Sequence, residues 1–305
     1  MFDTVVTVDW SASSRPTIGA DSIWICVLDV ESRQTQLHNP PTRHQAAARL
    51  CSALVDRPGS VLIAVDVALG YPQGFARLLG CTTNAPWRFT WDLVSTMLVD
   101  RPDNDNNRFD VAAALNATIS PGPGPFWGTT SAASVRPSLQ RTKPPGFPHC
   151  CPSGESLGEW RRTEQALRAR RRHPASVWQL AGAGSVGSQT LTAIPVLSAI
   201  RDHPALRRRT VVWPFETDLV SDPRHGLPDS IVIAEAWPSA IDVDLARHPV
   251  RDAAQVLCLA EHLVELDRDD RLGGWFGPDL VDADRLAVVA EEGWVLGTEV
   301  SPLLA

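Results

Sequence analysis

Apolar and polar positions alternate along this chain in two distinct rhythms. Val5 to Trp10 (VVTVDW) is a short apolar run that ends around Asp9. Ile23 to Val30 (IWICVLDV) is a second, and Gln34 to His38 supplies a third short candidate after intervening turn residues. This spacing predicts a three-stranded β-meander. From Arg43 to Val55, Ala, Leu and Val recur at helical spacing until Pro58-Gly59 stops the run. Val61 to Val67 (VLIAVDV) is then continuously apolar, the pattern of a strand buried on both faces. The predicted order is βββαβ. A crossover helix returning to the sheet makes the fourth strand parallel to a neighbour.

The rhythm breaks after residue 70. Pro, Gly, Asn and Thr cluster between residues 80 and 160, as in Asp103 to Arg108 and Pro121 to Phe126. Ala112 to Ile119 reads as a short helix, and 129–158 as a long surface loop, a length usually kept for function. Regular patterning returns with strand candidates at Thr210 to Phe215 and Ser230 to Ala236. Helices follow at Asp252 to Leu266 and Asp284 to Glu292. The reading is one α/β domain over 1–305. It has a mixed sheet and a large, mainly helical and loop insertion, 70–205, after the fourth strand.

Composition narrows the function classes. With a formal net charge of −7, the chain as a whole is not a polyanion binder, so any phosphate contact must be local. No apolar run reaches the roughly 18 residues of a membrane span, and residues 1–9 lack a signal-peptide pattern. A cytoplasmic protein without a membrane partner is expected. The six cysteines form no CxxC pair, which argues against a zinc site or a disulfide framework. The 11 tryptophans sit mostly beside apolar or Pro/Gly positions and read as core packing rather than base-stacking platforms.

Four acids stand out. Asp9, Asp66 and Glu235 each close an apolar strand run, and Asp252 opens a helix. Charge at such positions is costly unless paired or metal-bound, and ligands of α/β sheets gather at strand ends. Carboxylates brought together there can hold a divalent cation through oxygen. Each also has a plain structural explanation. Asp252 suits the first turn of a helix, and Glu235 could pair with an arginine.

The order of these acids on a βββαβ scaffold resembles the RNase H-like superfamily. Longer stretches are similar to a sparsely studied bacterial family of predicted RNase H-like proteins. Some of its members are labelled as molybdopterin or cobalamin biosynthesis proteins. The shared motifs are VDWSA (8–12), DVALGYP (66–72), NNRF (106–109), GPFWG (124–128), RRTE (161–164), GAGSVGSQ (182–189), FET (215–217), AEAWPS (234–239), RDAAQV (251–256) and EEGWVLG (291–297). The resemblance implies an RNase H-like fold and a metal-dependent nuclease-like activity. Asp9, Asp66 and Asp252 would hold Mg²⁺ or Mn²⁺, with Glu235 as a fourth catalytic acid. No organic cofactor is expected. The large insertion departs from a minimal fold of that type and leaves the substrate open between nucleic acid and a nucleotide-like phosphate ligand.

Two further features could touch phosphate. Gly182, Gly184 and Gly187 match GxGxxG after a strand candidate, Ser176 to Leu180. Pro195 would cut short the helix that a dinucleotide site needs. A simpler role is a phosphate held by backbone N–H groups at the turn, with Ser185, Ser188 and Gln189 as added donors. The arginine-rich run headed by Arg161 and Arg162 is either a solvated helix or a phosphate contact. Asn106, Asn107 and Arg108 either line the site or shape a turn. Three functions fit: a metal-dependent phosphoryl-transfer or phosphodiester-hydrolysing enzyme, a small phosphate-ligand binder without nuclease activity, or a catalytically silent interaction module.

Overall fold

A computed structural model describes residues 2–130, 136–147, 149–182 and 184–298. Parts of the expected loop (131–135 and 148) and Ala183 of the glycine-rich motif lie outside the described residues. The strands are β1 (Thr4–Asp9), β2 (Trp24–Asp29), β3 (Thr35–His38), β4 (Val61–Asp66), β5 (His149–Cys150), β6 (Ser156–Leu157), β7 (Thr210–Val212) and β8 (Ile231–Glu235). The helices are α1 (Arg43–Val55), α2 (Phe75–Leu78), α3 (Pro86–Met97), α4 (Arg108–Ile119), α5 (Arg162–Ala169), α6 (Val186–Asp202), α7 (Arg251–Arg268), α8 (Leu272–Phe276) and α9 (Asp282–Ala287).

Six strands form one mixed sheet in the order β3-β2-β1-β4-β8-β7. The first three are antiparallel, as the meander pattern predicts. Strands β1, β4, β8 and β7 run parallel. Helix α1 makes the crossover to β4. Its start is capped by Thr42, whose hydroxyl accepts from the Gln45 amide.

Alternation along the strands explains why both faces are apolar. Val6, Val8, Ile25, Val27, Ile63, Val65 and Ile233 share one face with residues of α1, α3, α4 and α6. Val5, Cys26, Leu28, Leu62, Ala64 and Val232 share the other with Val256, Leu259 and Leu263 of α7. Side chains of a strand point to opposite faces in turn, so a sheet between two helical layers needs apolar residues at nearly every position. Trp10, Trp91, Trp178, Trp213 and Trp294 are fully buried, so these five are core residues.

The chain leaves the main sheet over residues 67–209. Several local expectations change there. Ser176 to Leu180 is not a strand. The stretch 129–158 is not simply a surface loop: it holds the β5–β6 hairpin, and Leu139, Cys151 and Leu157 are buried. Pro195 does not end its helix, because α6 runs through it to Asp202. Proline removes one hydrogen bond to the turn before it. Burial of Leu191, Ile194, Leu197 and Ile200 offsets that loss. The expected helix over 284–292 is α9 followed by one wider π turn, Val288–Glu292. Among the described residues, no helix is long and apolar enough to cross a membrane.

Candidate functional site

Strand register decides which acids meet. Asp9 and Asp66 are partners on the neighbouring parallel strands β1 and β4. By alternation their side chains leave the face that carries Val5, Leu62 and Ala64, the face covered by α7. Both are half-buried at the strand ends. Among the described residues, neither carboxylate accepts a hydrogen bond or meets a cation at ion-pair distance. Burial raises Asp9 well above the usual carboxylate range, and the charges of Asp66, Asp252 and Asp21 add to this. Asp66 is pushed up to about 7, first by burial and then by Glu235 and Asp252.

Asp252 arrives from the opposite end of the sequence. Helix α7 lies on β1 and β2, and the Thr7 hydroxyl donates to the Val256 carbonyl at 2.7 Å. This seats the first turn of α7 beside the end of β1. One Asp252 oxygen accepts from the Asp21 amide at 2.7 Å. Burial raises Asp252 as well; the amide bond from Asp21 opposes this shift, while the charge of Asp21 adds to it. Among the described residues, no three His, Cys, Asp or Glu side chains are gathered tightly enough to ligate one ion. The three aspartates sense one another's charge without forming a closed cage.

Glu235 is placed differently. Its register partner is Val65, not Asp66, so it starts from the other face of the sheet. It is 4% exposed. Its carboxylate accepts from the Leu69 amide at 3.0 Å and from Arg161 Nη1 and Nη2 at 2.7 and 2.6 Å. Arg161 also donates to Glu164 and to the Glu292 carbonyl. It is 1% exposed and every guanidinium nitrogen is taken, so it is not open to a phosphate. Arg162 is likewise engaged by Asp284, Glu292 and Gln73. These two arginines tie α5 to residues 284–292 and correct the phosphate role expected of them. Gln73, Gly74 and Ala76 amides donate to Glu292 and Glu291, so the turn after Asp66 is held by the same segment.

A cleft of about 690 Å³ opens over Asp9 and Asp252. Its walls are the loop after β1, the start of α4 with Arg108 and Phe109, and the start of α6 with Ser185, Ser188 and Gln189. Gln189 donates to the Trp10 carbonyl at 2.6 Å, and the Trp10 indole donates to Thr192 at 3.1 Å. The start of α6 is thereby clamped to the residue that follows Asp9.

The glycine-rich motif borders this cleft, and its amides from Val186 to Gln189 are turned inward to the chain's own carbonyls. The Val186 and Gly187 amides donate to the Gly184 and Gln179 carbonyls at 2.8 and 2.9 Å. The Ser188 and Gln189 amides donate to the Ser185 carbonyl. Gly182 and Gly184 take positive φ angles of +93° and +74°, which turn the chain. A Cβ on Gly187 would lie 2.4 Å from the Val177 carbonyl, so this glycine permits close packing. Asn107 is also a shaping residue. It accepts from the Val99 amide and donates to the Met97 carbonyl, closing the turn before α4.

Arg108, expected with Asn106 and Asn107 either to line the site or to shape a turn, is on the cleft wall. Its Nε donates to Ser188 at 2.9 Å, and its Nη1 donates to Ser14 and Asn106 at 2.8 and 2.9 Å. Its guanidinium lies 4.4 Å from the Phe109 ring centre. Its partners are neutral, and no carboxylate pairs with it among the described residues. Burial and the nearby Arg43 lower it to about 10. Arg43 itself is satisfied by Asp100 at 2.6 Å. The local signal is a single arginine that follows two asparagines and opens a helix.

Comparison with family models, curated proteins and solved structures finds no match.

Proposed function

We propose that this chain is a metal-dependent phosphoryl-transfer or phosphodiester-hydrolysing enzyme of the RNase H-like type, working at the paired carboxylates Asp9 and Asp66 beside the cleft that Asp9 and Asp252 line. The observation that carries the proposal is the pairing of these two carboxylates. They are register partners, half-buried, raised in pKa and without a counter-charge among the described residues. Such a pair is unfavourable in the bare protein, and a divalent cation would neutralise it. The donor set suits Mg²⁺ or Mn²⁺. Mg²⁺ is commonly held by one or two carboxylates, with waters and substrate oxygens completing its shell. The sheet order, with acids closing β1 and β4 and a third at the start of α7, agrees with the RNase H-like resemblance.

When bound, the ion would supply charge stabilisation at the reacting phosphate. Asp9 and Asp66 would hold it at the strand ends. A water oxygen forms a new bond to phosphorus, the ester P–O bond breaks, and the departing oxygen takes up a proton. Asp252, on the cleft wall, is placed to accept the proton that the water gives up. One observation favours a second reading, a phosphate-ligand binder without hydrolysis. Asp252 already commits one oxygen to the Asp21 amide.

Calorimetry with Mn²⁺ and a hydrolysis screen against mono- and diesters test this. Mn²⁺ binding and turnover that both disappear in folded Asp9→Asn and Asp66→Asn support the enzyme. Wild-type protein that binds no Mn²⁺ ends it, and Mn²⁺ binding without turnover leaves the binder.

A further inference from the structure

Opposite charges stand on two sides of the same cleft, unpaired among the described residues. On one side is the Asp9 carboxylate, with its register partner Asp66 beside it on β4. On the wall is Arg108, held by Ser188, Ser14 and Asn106 through Nε and Nη1. None of these contacts uses Nη2, and all three partners are neutral. A half-buried guanidinium without an anion, locked in orientation and lining a cleft, is a preformed acceptor for one phosphate.

The size and charge of the cleft restrict what carries that phosphate. About 690 Å³ lies within the range of small-molecule sites. A polynucleotide would need a basic track continuing past the site. Instead Asp21 and Asp252 share the lining with Arg108 and Arg15. Arg170, Arg171 and Arg172, the remaining basic cluster of the arginine run, line a different cavity with Trp237 and Trp275. The two cavities have no lining residue in common.

We infer that the cleft takes a small phosphate ester of mononucleotide size and that Arg108 grips its phosphate. The inference rests on the proposed metal-dependent chemistry for the second half of the ligand's recognition. The ion on Asp9 and Asp66 and the guanidinium of Arg108 would meet the same phosphate from two sides.

The test is calorimetric titration of the whole chain, first with Mn²⁺. Inorganic phosphate, adenosine 5′-monophosphate and a single strand of about 20 nucleotides follow. Wild type, Arg108→Lys and Ser188→Ala are compared, with melting temperatures to check the fold. Expected are phosphate and monophosphate binding in the wild type and a loss of about tenfold or more in Arg108→Lys, which keeps the charge but not the fork. A smaller loss is expected in Ser188→Ala, which leaves the guanidinium but unpins it, and Mn²⁺ affinity should be equal in all three. Unchanged phosphate affinity in both variants overturns the role of Arg108. A strand that binds far more tightly than the monophosphate overturns the small ester. If Mn²⁺ fails to bind while phosphate still depends on Arg108, the metal enzyme falls and the Arg108 site stands.

Discussion

Asp9 and Asp66 stand side by side as register partners on parallel strands and present two carboxylates to one face of the sheet, with no Lys, Arg or His at ion-pair distance among the described residues. Two like charges in a half-buried position oppose folding, and their placement at the ends of β1 and β4 makes the strain local to the cleft.

Replacing either charge should relieve that strain. In metal-free buffer at neutral to mildly alkaline pH, Asp66→Asn is expected to be more stable than wild type by about 1–3 kcal/mol. Asp9→Asn should move in the same direction. Both variants should lose the increase in melting temperature that Mn²⁺ gives the wild type. Urea unfolding with and without Mn²⁺ measures both effects. Loss of stability in both variants would contradict the uncompensated pair.

The pH dependence follows with a definite sign. Burial, with the charges of Glu235 and Asp252, holds Asp66 at about 7 in the folded chain, against roughly 4 when unfolded. The folded state therefore binds this proton more tightly. The contribution is fully present below about pH 4 and is lost as the pH rises through about 7. In EDTA the melting temperature should fall between about pH 5 and pH 8. Asp66→Asn should flatten that fall, and so should saturating Mn²⁺ in the wild type. A wild-type profile identical to that of Asp66→Asn would refute the shift.

Arg161 should behave as a structural residue. Removing one member of a buried ion pair leaves the other uncompensated, at a cost of about 3–5 kcal/mol. Arg161→Met is expected to lose that much in chemical denaturation because Glu235 and Glu164 are both left facing it. A stable Arg161→Met variant with weakened phosphate binding would restore the ligand role that the arginine-rich run suggests.

Gly187→Ala separates packing from phosphate binding. The added methyl meets the Val177 carbonyl at 2.4 Å and should cost about 1–3 kcal/mol. The folded fraction should bind phosphate as the wild type does, because the Gly187 amide is already committed to the Gln179 carbonyl. Weaker phosphate binding at unchanged stability would return the motif to the site.

The strands could be read from local pattern because burial on both faces makes an apolar run continuous, and a charge marks its end. Asp9, Asp66 and Glu235 carry the same local signature. What separates them is pairing: Asp9 faces Asp66, whereas Glu235 faces Val65. Register between distant strands is not encoded in either strand alone, and it leaves Glu235 acting on Asp66 by charge while its carboxylate is paired with Arg161. The arginines pose the same difficulty. Besides nearby Glu164, Arg161 meets an acid 74 residues away at Glu235 and a carbonyl 131 away at Glu292. Arg108 meets only hydroxyls and an amide. Which arginine keeps an unmatched charge is settled by tertiary contacts and not by the density of positive residues. Pro195 reads as a helix breaker from local pattern, but α6 continues through it because a helix packed on a core tolerates a break that an isolated helix does not.

The bond from Thr7 to the Val256 carbonyl joins positions 249 residues apart. Closing so long a loop is entropically costly and belongs late in folding. During synthesis, β1, β2 and β4 emerge well before α7. Until α7 arrives, Val5, Cys26, Leu28 and Leu62 have no helical cover on that face. The nascent chain therefore carries an apolar sheet face open to non-native contacts, and Asp252 reaches the end of β1 only when the last long helix docks.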